Sequence, residues 1–566
     1  MKQPQKLLAA ALAVTLTLGS MGAQACTGLY VGKDVSAEGA AIIARSEDIS
    51  PADYDKLHMV VPHSDEAGRY LEDINGFKMP LPDTTYQYTA MSDYASAGDG
   101  VYYAVCTNEM GVSVTGTVSA SPCAAWKEAD PRVEEGLREA VLPALVAATA
   151  ATAKQGVDNL LAAVDAYGSA EGNVVMIADQ SEAWIVEIYG GHEYAAMKMP
   201  ADQVAVFGNQ FMIGAVDPED TENYVLSENL LSTIDALGLA VKDADGKYLA
   251  AQSVCDNSRS DGSNMRTWIG HQLFAPSTAG EYATDTFYPL FYAPDRKISL
   301  SDVMAVYRSR YEGTEYDMSL EGNEGGRPIA VSTTPETHII QIFDNYPAAC
   351  SAVTWLAMGG AEHSVFLPEF SGITETAPAF RLDAPTYAEG SAYWAFKRIC
   401  GLADTNRALY TQGVQDFWTL QEQAMIAQME AAGEEMKTLY AADPAQGAAY
   451  VTNLAQTMLA DQMAKSDRLY ASLLTVLTHN VGLSAAKTPT AFVASTPLRE
   501  AAQLKGYTVG WNGAEGAVTL TKDGVTYALT LGSKTCKKGT EEITLTRAPY
   551  AEDGVTYVPV DFVKGL

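Results

Sequence analysis

The sequence has few of the patterns that bind metals, nucleotides or phosphate. Its seven histidines are scattered, and neither an H-E-x-x-H pair nor two cysteines separated by two residues occur. A P-loop, a dinucleotide-binding fingerprint and a G-x-S-x-G nucleophile elbow are also missing. We therefore predict no metal, no cofactor and no serine nucleophile of the elbow type.

Positive charge is scarce as well. The 566-residue chain carries 37 Lys and Arg residues against 70 Asp and Glu residues, a formal net charge of −33. A surface of this sign repels nucleic acid and anionic membranes, so we predict neither as a partner. Hydrophobic residues make up 47% of the chain, enough for a large core, and its length allows more than one domain.

Long apolar runs are missing except near the N-terminus. Residues 7–18 are almost wholly apolar and are followed by Ala23 and Ala25, which fit a signal-peptidase site. This run is shorter than the ~20 residues that span a membrane. We predict a signal peptide over residues 1–25, cleavage after Ala25, and a secreted or cell-surface protein without a membrane span. The rival interpretation is a lipid anchor on Cys26, although Ala23 stands where such signals usually carry a large aliphatic residue.

Seven cysteines are an odd number for a fully disulfide-bonded protein. With Cys26 set aside as a nucleophile, the others allow up to three disulfides in fifteen pairings. A chain of this size does not need disulfides for stability. We expect most of these six to be buried thiols: Cys106, Cys123, Cys255, Cys350, Cys400 and Cys536.

Cleavage after Ala25 would make Cys26 the first residue of the mature chain. An N-terminal cysteine has a thiol and a free α-amine on one residue, so the nucleophile and its base arrive together. The amine has an ordinary pKa of ~7.7–8.0, so part of it is unprotonated near neutral pH and can take the thiol proton. We therefore predict that the cleavage creates a cysteine hydrolase.

The residues after Cys26 predict a hairpin that supplies partners for its thiol. Residues 29–31 and 40–44 are strand candidates with a turn-rich segment between them. Pairing of these strands would return Arg45 and Asp48 to Cys26. Arg45 would favour the thiolate, and Asp48 would hold the α-amine by hydrogen bonding.

A further candidate is Asn209, whose amide could donate to the oxyanion that forms when a thiolate attacks an amide carbonyl. Taken singly, Asn209 is more often a turn residue, and an Arg–Asp pair is more often a surface ion pair. The prediction therefore rests on the whole set rather than on any one member.

Strand-rich blocks alternate with helical stretches along the rest of the chain, which predicts an α+β layered domain. The predicted strands cover residues 102–105, 112–115, 173–178, 183–189, 204–207, 338–343 and 353–356. The predicted helices cover residues 132–150, 157–166 and 299–311, and then 415–432 and 448–477 in a largely helical region at 390–480.

The composition changes after about residue 485. Asp523-Gly524 stands between two β-branched runs, which is a strong hairpin signal, and residues 555–560 predict another strand. We predict a first domain over residues 26–485 and a small β-rich domain over residues 495–566.

Several stretches between residues 26 and 480 resemble peptidase family C69, a family of N-terminal-nucleophile dipeptidases. The stretches are Cys26-Thr27, Ala44-Arg45-Ser46-Glu47-Asp48, Asn108-Glu109-Met110-Gly111-Val112, Ala178-Asp179, Glu182-Ala183-Trp184, Glu187, Gly191-His192, Asn209, Arg308, Tyr311-Glu312-Gly313-Thr314, Tyr316-Asp317, His338, Gln341 and Trp355. The family commonly has Asn where Ser46 stands, a departure that touches none of the predicted catalytic residues.

The resemblance implies a four-layer αββα sandwich and metal-free hydrolysis of dipeptides through a thioester on Cys26, exposed by autocatalysis or by signal peptidase. Relatives in the wider superfamily cleave bile-salt and penicillin V amides, so a bile-salt or N-acyl amidohydrolase is the alternative. The second oxyanion donor would be a backbone N–H after the predicted strand at 112–115. By similarity, the working set of catalytic residues is Cys26, Arg45, Asp48, Asn209 and Arg266.

The C-terminal domain resembles the small repeat domain named after the N-terminal region of copper amine oxidases. The resemblance is carried by Gly510-Trp511-Asn512, the Asp523-Gly524 hairpin, Leu531-Gly532-Ser533 and the stretch from Thr556 to Val563. No histidine follows His479, so we predict no copper site and favour cell-surface contact or stabilisation. The remaining alternative function is a non-catalytic, lipid-anchored surface binding protein. The oligomeric state is open, with a homo-oligomer as one option.

Overall fold

The computed structural model describes residues 26–49, 55–93, 102–323, 325–483 and 487–566. The predicted signal peptide lies outside the described residues. The strands of the N-terminal part are β1 (Thr27–Val31), β2 (Ala41–Glu47), β3 (Lys56–Val61), β4 (Tyr70–Glu72), β5 (Lys78–Pro80), β6 (Tyr88–Asp93), β7 (Tyr103–Asn108), β8 (Ser113–Ser119), β9 (Asn173–Ala178), β10 (Ala183–Ile188), β11 (Tyr194–Lys198), β12 (Val204–Phe207), β13 (Ala215–Val216), β14 (Tyr224–Leu226), β15 (Tyr248–Leu249), β16 (Glu336–Ile342), β17 (Ala352–Met358) and β18 (Leu367–Phe370).

The helices of this part alternate with the strands and then follow them. They are α1 (Ala124–Ala129), α2 (Leu142–Thr149), α3 (Ala153–Tyr167), α4 (Leu230–Ala236), α5 (Ala250–Val254), α6 (Asp261–Phe274), α7 (Leu300–Val306), α8 (Ala392–Asp404), α9 (Arg407–Ala442) and α10 (Pro444–Asn480), with 3₁₀ turns at Glu139–Val141, Ala348–Cys350 and Pro378–Arg381.

Two antiparallel sheets form the centre of the molecule. The six-stranded sheet has the order β12-β1-β2-β16-β17-β18, and the eight-stranded sheet has the order β14-β11-β10-β9-β8-β7-β6-β3. Every residue of β1, β9, β10, β16 and β17 is buried, because both faces of these strands are covered.

Alternation along the strands shows how the layers stack. In β9, Met176 faces a core shared with residues of the six-stranded sheet, whereas Val175 faces a second core formed with α2 and α3. In β10, Ile185 likewise faces the core between the sheets, and Val186 faces the core formed with α2 and α3. The eight-stranded sheet is therefore covered by the other sheet on one face and by helices on the other.

Helices also cover the outer face of the six-stranded sheet, where α6 packs on β12, α8 on β17, and α9 and α10 on β18. The layers run helix, sheet, sheet, helix. This arrangement confirms the predicted four-layer αββα sandwich with a largely helical part after it.

The two long helices meet at one residue. Asp443 ends α9 and begins α10, where its side chain accepts the N–H of Ala445 and Pro444 occupies the first helical position. The predicted helices at 415–432 and 448–477 are confirmed, and both extend further. Among the described helices, these two included, none is long and apolar enough to cross a membrane.

The predicted helix at 132–150 is wrong over its first third. Residues 133–137 are not helical, because the N–H groups of Val133 and Leu137 donate to the carbonyls of Ser169 and Gly168. Helical turns begin only at Glu139. Likewise α7 ends at Val306 rather than at residue 311, where Tyr311 takes a positive φ of 70°.

The C-terminal region is β-rich, as predicted, and packs on the two long helices. Lys564 pairs with Asp416 of α9 at 2.6 Å, and Arg468 of α10 pairs with Glu552 at 3.0 Å. Its elements are β19 (Ser495–Pro497), α11 (Leu498–Leu504), β20 (Thr508–Asn512), β21 (Ala517–Lys522), β22 (Val525–Thr530), β23 (Thr535–Lys538), β24 (Glu541–Thr544), β25 (Tyr550–Glu552), β26 (Val555–Pro559) and α12 (Val560–Lys564).

A buried ion pair joins the segment after α7 to α9. Arg308 donates to both carboxylate oxygens of Glu422, at 2.8 and 2.6 Å, and Glu422 also accepts the N–H of Phe366 at 3.0 Å. The two side chains are 11% and 3% exposed. The pair therefore holds the helical part against the sandwich with little exposure of either charge to solvent.

We expect Glu422→Gln to lower the free energy of unfolding by about 3–5 kcal/mol, because it leaves the Arg308 charge buried without a counterion. Urea unfolding followed by circular dichroism measures this loss. The matched control is Glu434→Gln in the same helix, which removes an exposed partner of Lys437 and should leave the unfolding midpoint unchanged. Equal unfolding midpoints for the two variants would contradict this account of the pair.

Candidate active site

The pairing of β1 brings the predicted residues together. Gly28 lies opposite Phe207 of β12 on one side and opposite Arg45 of β2 on the other, which confirms the predicted hairpin. Side chains two residues apart share a face, so Cys26 is the diagonal neighbour of Arg45. The same register, continued past the end of β12, places Asn209 beside Cys26. Gly28 has to be glycine, because a methyl group there would overlap the Phe207 ring.

Cys26 and Arg45 are in direct contact inside the protein. Arg45 Nη2 lies 3.1 Å from Cys26 Sγ, and both residues are buried. Burial raises the pKa of the Cys26 thiol to about 11, although the charge of Arg45 and a backbone hydrogen bond from Asp48 act to lower it. At neutral pH this thiol is protonated and needs a base before it can attack.

Arg45 itself stays charged. Burial alone would lower its pKa, but the nearby Cys26, Glu47 and Glu139 raise the pKa above the ordinary value. Two of its buried nitrogens, Nε and Nη1, have no hydrogen-bond partner among the described residues. Buried N–H groups are rarely left in this state, so these two nitrogens are available to an acceptor that enters the site.

Arg266 of α6 connects Cys26 to Asn209, the candidate oxyanion donor. Its Nη1 donates to the carbonyl of Cys26 at 2.6 Å and to Thr27 Oγ1 at 3.1 Å, and its Nη2 donates to Asn209 Oδ1 at 3.0 Å. Burial lowers the pKa of Arg266 to about 10, and the positive charge of Arg327 acts in the same direction. It still carries its proton at neutral pH, so it acts here as a fixed hydrogen-bond donor.

Asn209 is fixed from both ends of its amide. Oδ1 accepts from Arg266, and Nδ2 donates to the carbonyl of Ser119 at the end of β8, at 3.0 Å. The amide nitrogen of Asn209 carries two N–H groups, so donation to Ser119 is compatible with donation to a second acceptor. The sequence predicts the second oxyanion donor to be a backbone N–H after residue 115, and β8 continues past that point to Ser119.

A buried carboxylate supports the loop that carries Asn209. Glu187 of β10 accepts the N–H groups of Met212 at 2.5 Å and Ile213 at 3.0 Å, and the hydroxyl of Tyr189 at 3.0 Å. Burial raises the pKa of Glu187 to about 7, although these hydrogen bonds act to lower it. Glu187 thus positions the loop without touching Cys26.

Asp48 lies in the site, with partners that sequence reasoning missed. Its Oδ2 accepts from Arg327 at 2.6 Å and from Ser46 at 3.3 Å, and its Oδ1 accepts from Thr334 at 2.5 Å. The negative charge of Asp48 also acts on the Cys26 thiol, so the carboxylate lies near that sulfur. Arg327 and Thr334 belong to irregular segments before β16, where no sequence pattern marks them.

The other cysteines lie away from this cluster. All seven cysteines are free thiols, and apart from Cys26 five are buried and Cys123 is half-buried. Across the described ranges, no three His, Cys, Asp or Glu side chains are grouped so that they could hold a metal ion. The structure thus brings all five predicted site residues together, while their catalytic roles stay predictions.

The αββα sandwich and the buried cluster around Cys26 are the architecture that the sequence predicts for a hydrolase. The model of peptidase family C69 matches residues 25–420, and the chain belongs to this family. It is therefore a peptide-bond hydrolase. The model of the copper amine oxidase N-terminal domain matches residues 493–565, which confirms the predicted resemblance of the C-terminal region.

Curated relatives carry dipeptidase names. A probable dipeptidase B from Streptococcus pyogenes serotype M1 is 32% identical over 435 residues, covering 74% of this chain and 86% of its own. A probable dipeptidase from Salmonella dublin is 33% identical over 375 residues, covering 65% and 86%. Among solved structures, a mutant of conjugated bile acid hydrolase from Clostridium perfringens has 11% identity and a TM-score of 0.29, covering 61% of this chain and 92% of its own.

The raised pKa of Glu187 predicts a pH-dependent cost in stability. The folded-state pKa of about 7 lies above the ordinary pKa of a glutamate. As the pH rises from that ordinary pKa through 7, the carboxyl ionises in the unfolded chain before it does so in the folded protein, and the folded protein loses stability. Glu187→Gln removes this loss. We compare the free energy of unfolding of the variant with that of the wild type at each pH. We expect this difference to be about 2 kcal/mol more favourable to the variant at pH 8 than at pH 5.

Urea unfolding of the two proteins at both pH values measures this gain. Glu128→Gln on the exposed side of α1 is the control, and its difference from the wild type should not depend on pH. A constant difference for Glu187→Gln would show that the carboxylate is ionised in the folded protein throughout this range.

Proposed function

We propose that this chain is a secreted cysteine dipeptidase that hydrolyses dipeptides through a thioester on Cys26. The contact between Arg45 Nη2 and Cys26 Sγ, at 3.1 Å, is the observation that carries the proposal. It supplies a cation at the atom where negative charge would develop. The dipeptidase names of the curated relatives support the choice of substrate.

The base in this mechanism is the α-amine of Cys26. A thiol with a pKa of about 11 is almost fully protonated at neutral pH. An α-amine has an ordinary pKa of ~7.7–8.0 and sits on the same residue, so it can take the thiol proton directly or through one water. Arg45 then stabilises the thiolate, and Asp48 holds the protonated amine by its charge.

The chemistry proceeds in two stages. The thiolate of Cys26 attacks the scissile carbonyl, and the oxyanion receives hydrogen bonds from the Asn209 amide and from a backbone N–H that follows residue 115. The protonated α-amine gives its proton to the leaving nitrogen, so the C–N bond breaks and a thioester remains. Water, deprotonated by the same amine, then hydrolyses the thioester and releases the N-terminal amino acid of the dipeptide.

The proposal includes a particular processing history and division of the chain. Residues 1–25 would direct export of the protein, and their removal after Ala25 would free the α-amine of Cys26. Residues 26–485 would form the peptidase domain, and residues 495–566 would form a separate domain that contacts the cell surface. Lipid attached to Cys26 would block the nucleophile, so the anchored alternative predicts an inactive protein.

We expect Cys26→Ala to lower kcat/KM for a dipeptide such as Ala-Ala by about 10³-fold or more, because the nucleophile is lost. Release of free alanine measures the rate. Cys536→Ala in the C-terminal region is the matched control and should keep the wild-type rate. Full activity in Cys26→Ala would refute the mechanism.

The α-amine can be tested separately from the thiol. A mature protein that carries two extra residues before Cys26 keeps the thiol and Arg45 but converts the amine to an amide. We expect it to retain less than about 1% of the activity, because an amide nitrogen is not a base at neutral pH.

A protease site placed between the extension and Cys26 gives the control, since cutting there should restore the rate. Intact mass and N-terminal sequencing establish which species is present in each assay. An extended protein that remains uncut and fully active would show that another group is the base. A diacylglycerol-sized mass on the exported protein would favour the lipid-anchored alternative.

A further inference from the structure

Two arginines, Arg266 and Arg327, lie near the carboxylate of Asp48 on the α6 side of Cys26. Arg266 and Arg327 lie close enough that the charge of Arg327 lowers the pKa of Arg266, and both act with Asp48. Arg266 and Arg327 are thus two positive charges beside Cys26 in a chain whose net charge is −33. A guanidinium at this position favours a substrate that carries a negative group near the scissile bond.

Arg327 is the most exposed of the four charged side chains considered around Cys26. Its side chain is 26% exposed, whereas Arg45, Asp48 and Arg266 are 1%, 2% and 2% exposed. The buried groups can act on atoms that have already entered the site. Arg327 can contact a substrate as it enters and keep contact with it once it is bound.

Arg327 is held in one orientation before any substrate arrives. Its Nη2 donates to Asp48 Oδ2 at 2.6 Å, its Nη1 donates to the carbonyl of Pro328, and its own carbonyl accepts the hydroxyl of Tyr311 at 2.6 Å. Gly262 of α6 lies against it, where a Cβ would be 3.3 Å from Arg327 Cβ. A guanidinium fixed in this way presents a planar surface that suits a carboxylate.

The chemistry of a dipeptide places a carboxylate in this region. One carbon atom separates the scissile nitrogen from the carboxylate carbon of the leaving amino acid. A group that binds this carboxylate must therefore lie beside the nucleophile. Arg327 meets this condition, because Asp48 connects it to the immediate surroundings of Cys26.

We propose that Arg327 is a specificity-determining residue that binds the free carboxylate of the leaving amino acid. This inference rests on the proposed function and names the substrate class more narrowly. The enzyme would prefer amides whose leaving amine carries an α-carboxylate, and it would discriminate against the same compounds with a blocked C-terminus.

The test compares Ala-Ala with its C-terminal amide in the wild type, Arg327→Met and Arg327→Lys. We expect the wild type to prefer the free acid by about 10- to 100-fold in kcat/KM, since an ionic hydrogen bond to the carboxylate is missing in the amide. Arg327→Met should lose most of this preference through a higher KM for the acid, with a smaller loss of rate on the amide, because losing the partner of Asp48 affects both substrates. Arg327→Lys should keep part of it, because the charge remains.

Arg296→Met is the matched control, since it removes an exposed arginine that is likewise paired with an aspartate, Asp302, on the surface. It should leave both rates unchanged. An equal loss on the acid and the amide in Arg327→Met would overturn the inference, because Arg327 would then act only through Asp48. A wild type that cleaves both substrates equally would also overturn it. A wild type that cleaves neither would instead contradict the proposed function.

Discussion

The hydrogen bonds of one buried guanidinium hold the site together. Arg266 donates to the backbone carbonyl of Cys26, to Thr27 and to Asn209, positions that belong to the start of β1 and to the loop after β12. A buried cation is costly unless its donors are satisfied. The same contacts that offset this cost also fix Cys26 relative to Asn209, so the stability and the geometry of the site depend on one side chain.

Burial also controls how the thiol can react. In water a cysteine near an arginine would be partly ionised, but here the loss of solvent outweighs the charge of Arg45 and leaves the thiol protonated. The proposed mechanism therefore depends on a base that exists only once Cys26 is the N-terminal residue. This dependence would keep the unprocessed chain inactive and would link activity to removal of the N-terminal segment.

The layers of the sandwich carry the supporting contacts to the site. Glu187 is on a strand of the eight-stranded sheet, yet it holds the loop that follows β12 of the six-stranded sheet. Ser119, at the end of β8, accepts from the Asn209 amide in the same way. The interface between the sheets is therefore both the main hydrophobic core and the frame of the site. Changes in the packing of that interface should reach the site through these two contacts.

The amino-acid sequence alone determined the local features of this protein. The hairpin of β1 and β2, the strands at 173–178 and 204–207 and the two long helices follow from turn residues and from apolar periodicity, which act between neighbours in the chain. The cluster of Cys26 with Arg45 followed from that hairpin. Only the tertiary structure decided that residues 133–137 pair with a distant segment instead of forming a helix, and that Arg327 meets Asp48. Such contacts join segments far apart in the chain, where no local pattern records which backbone or side chain will be the partner.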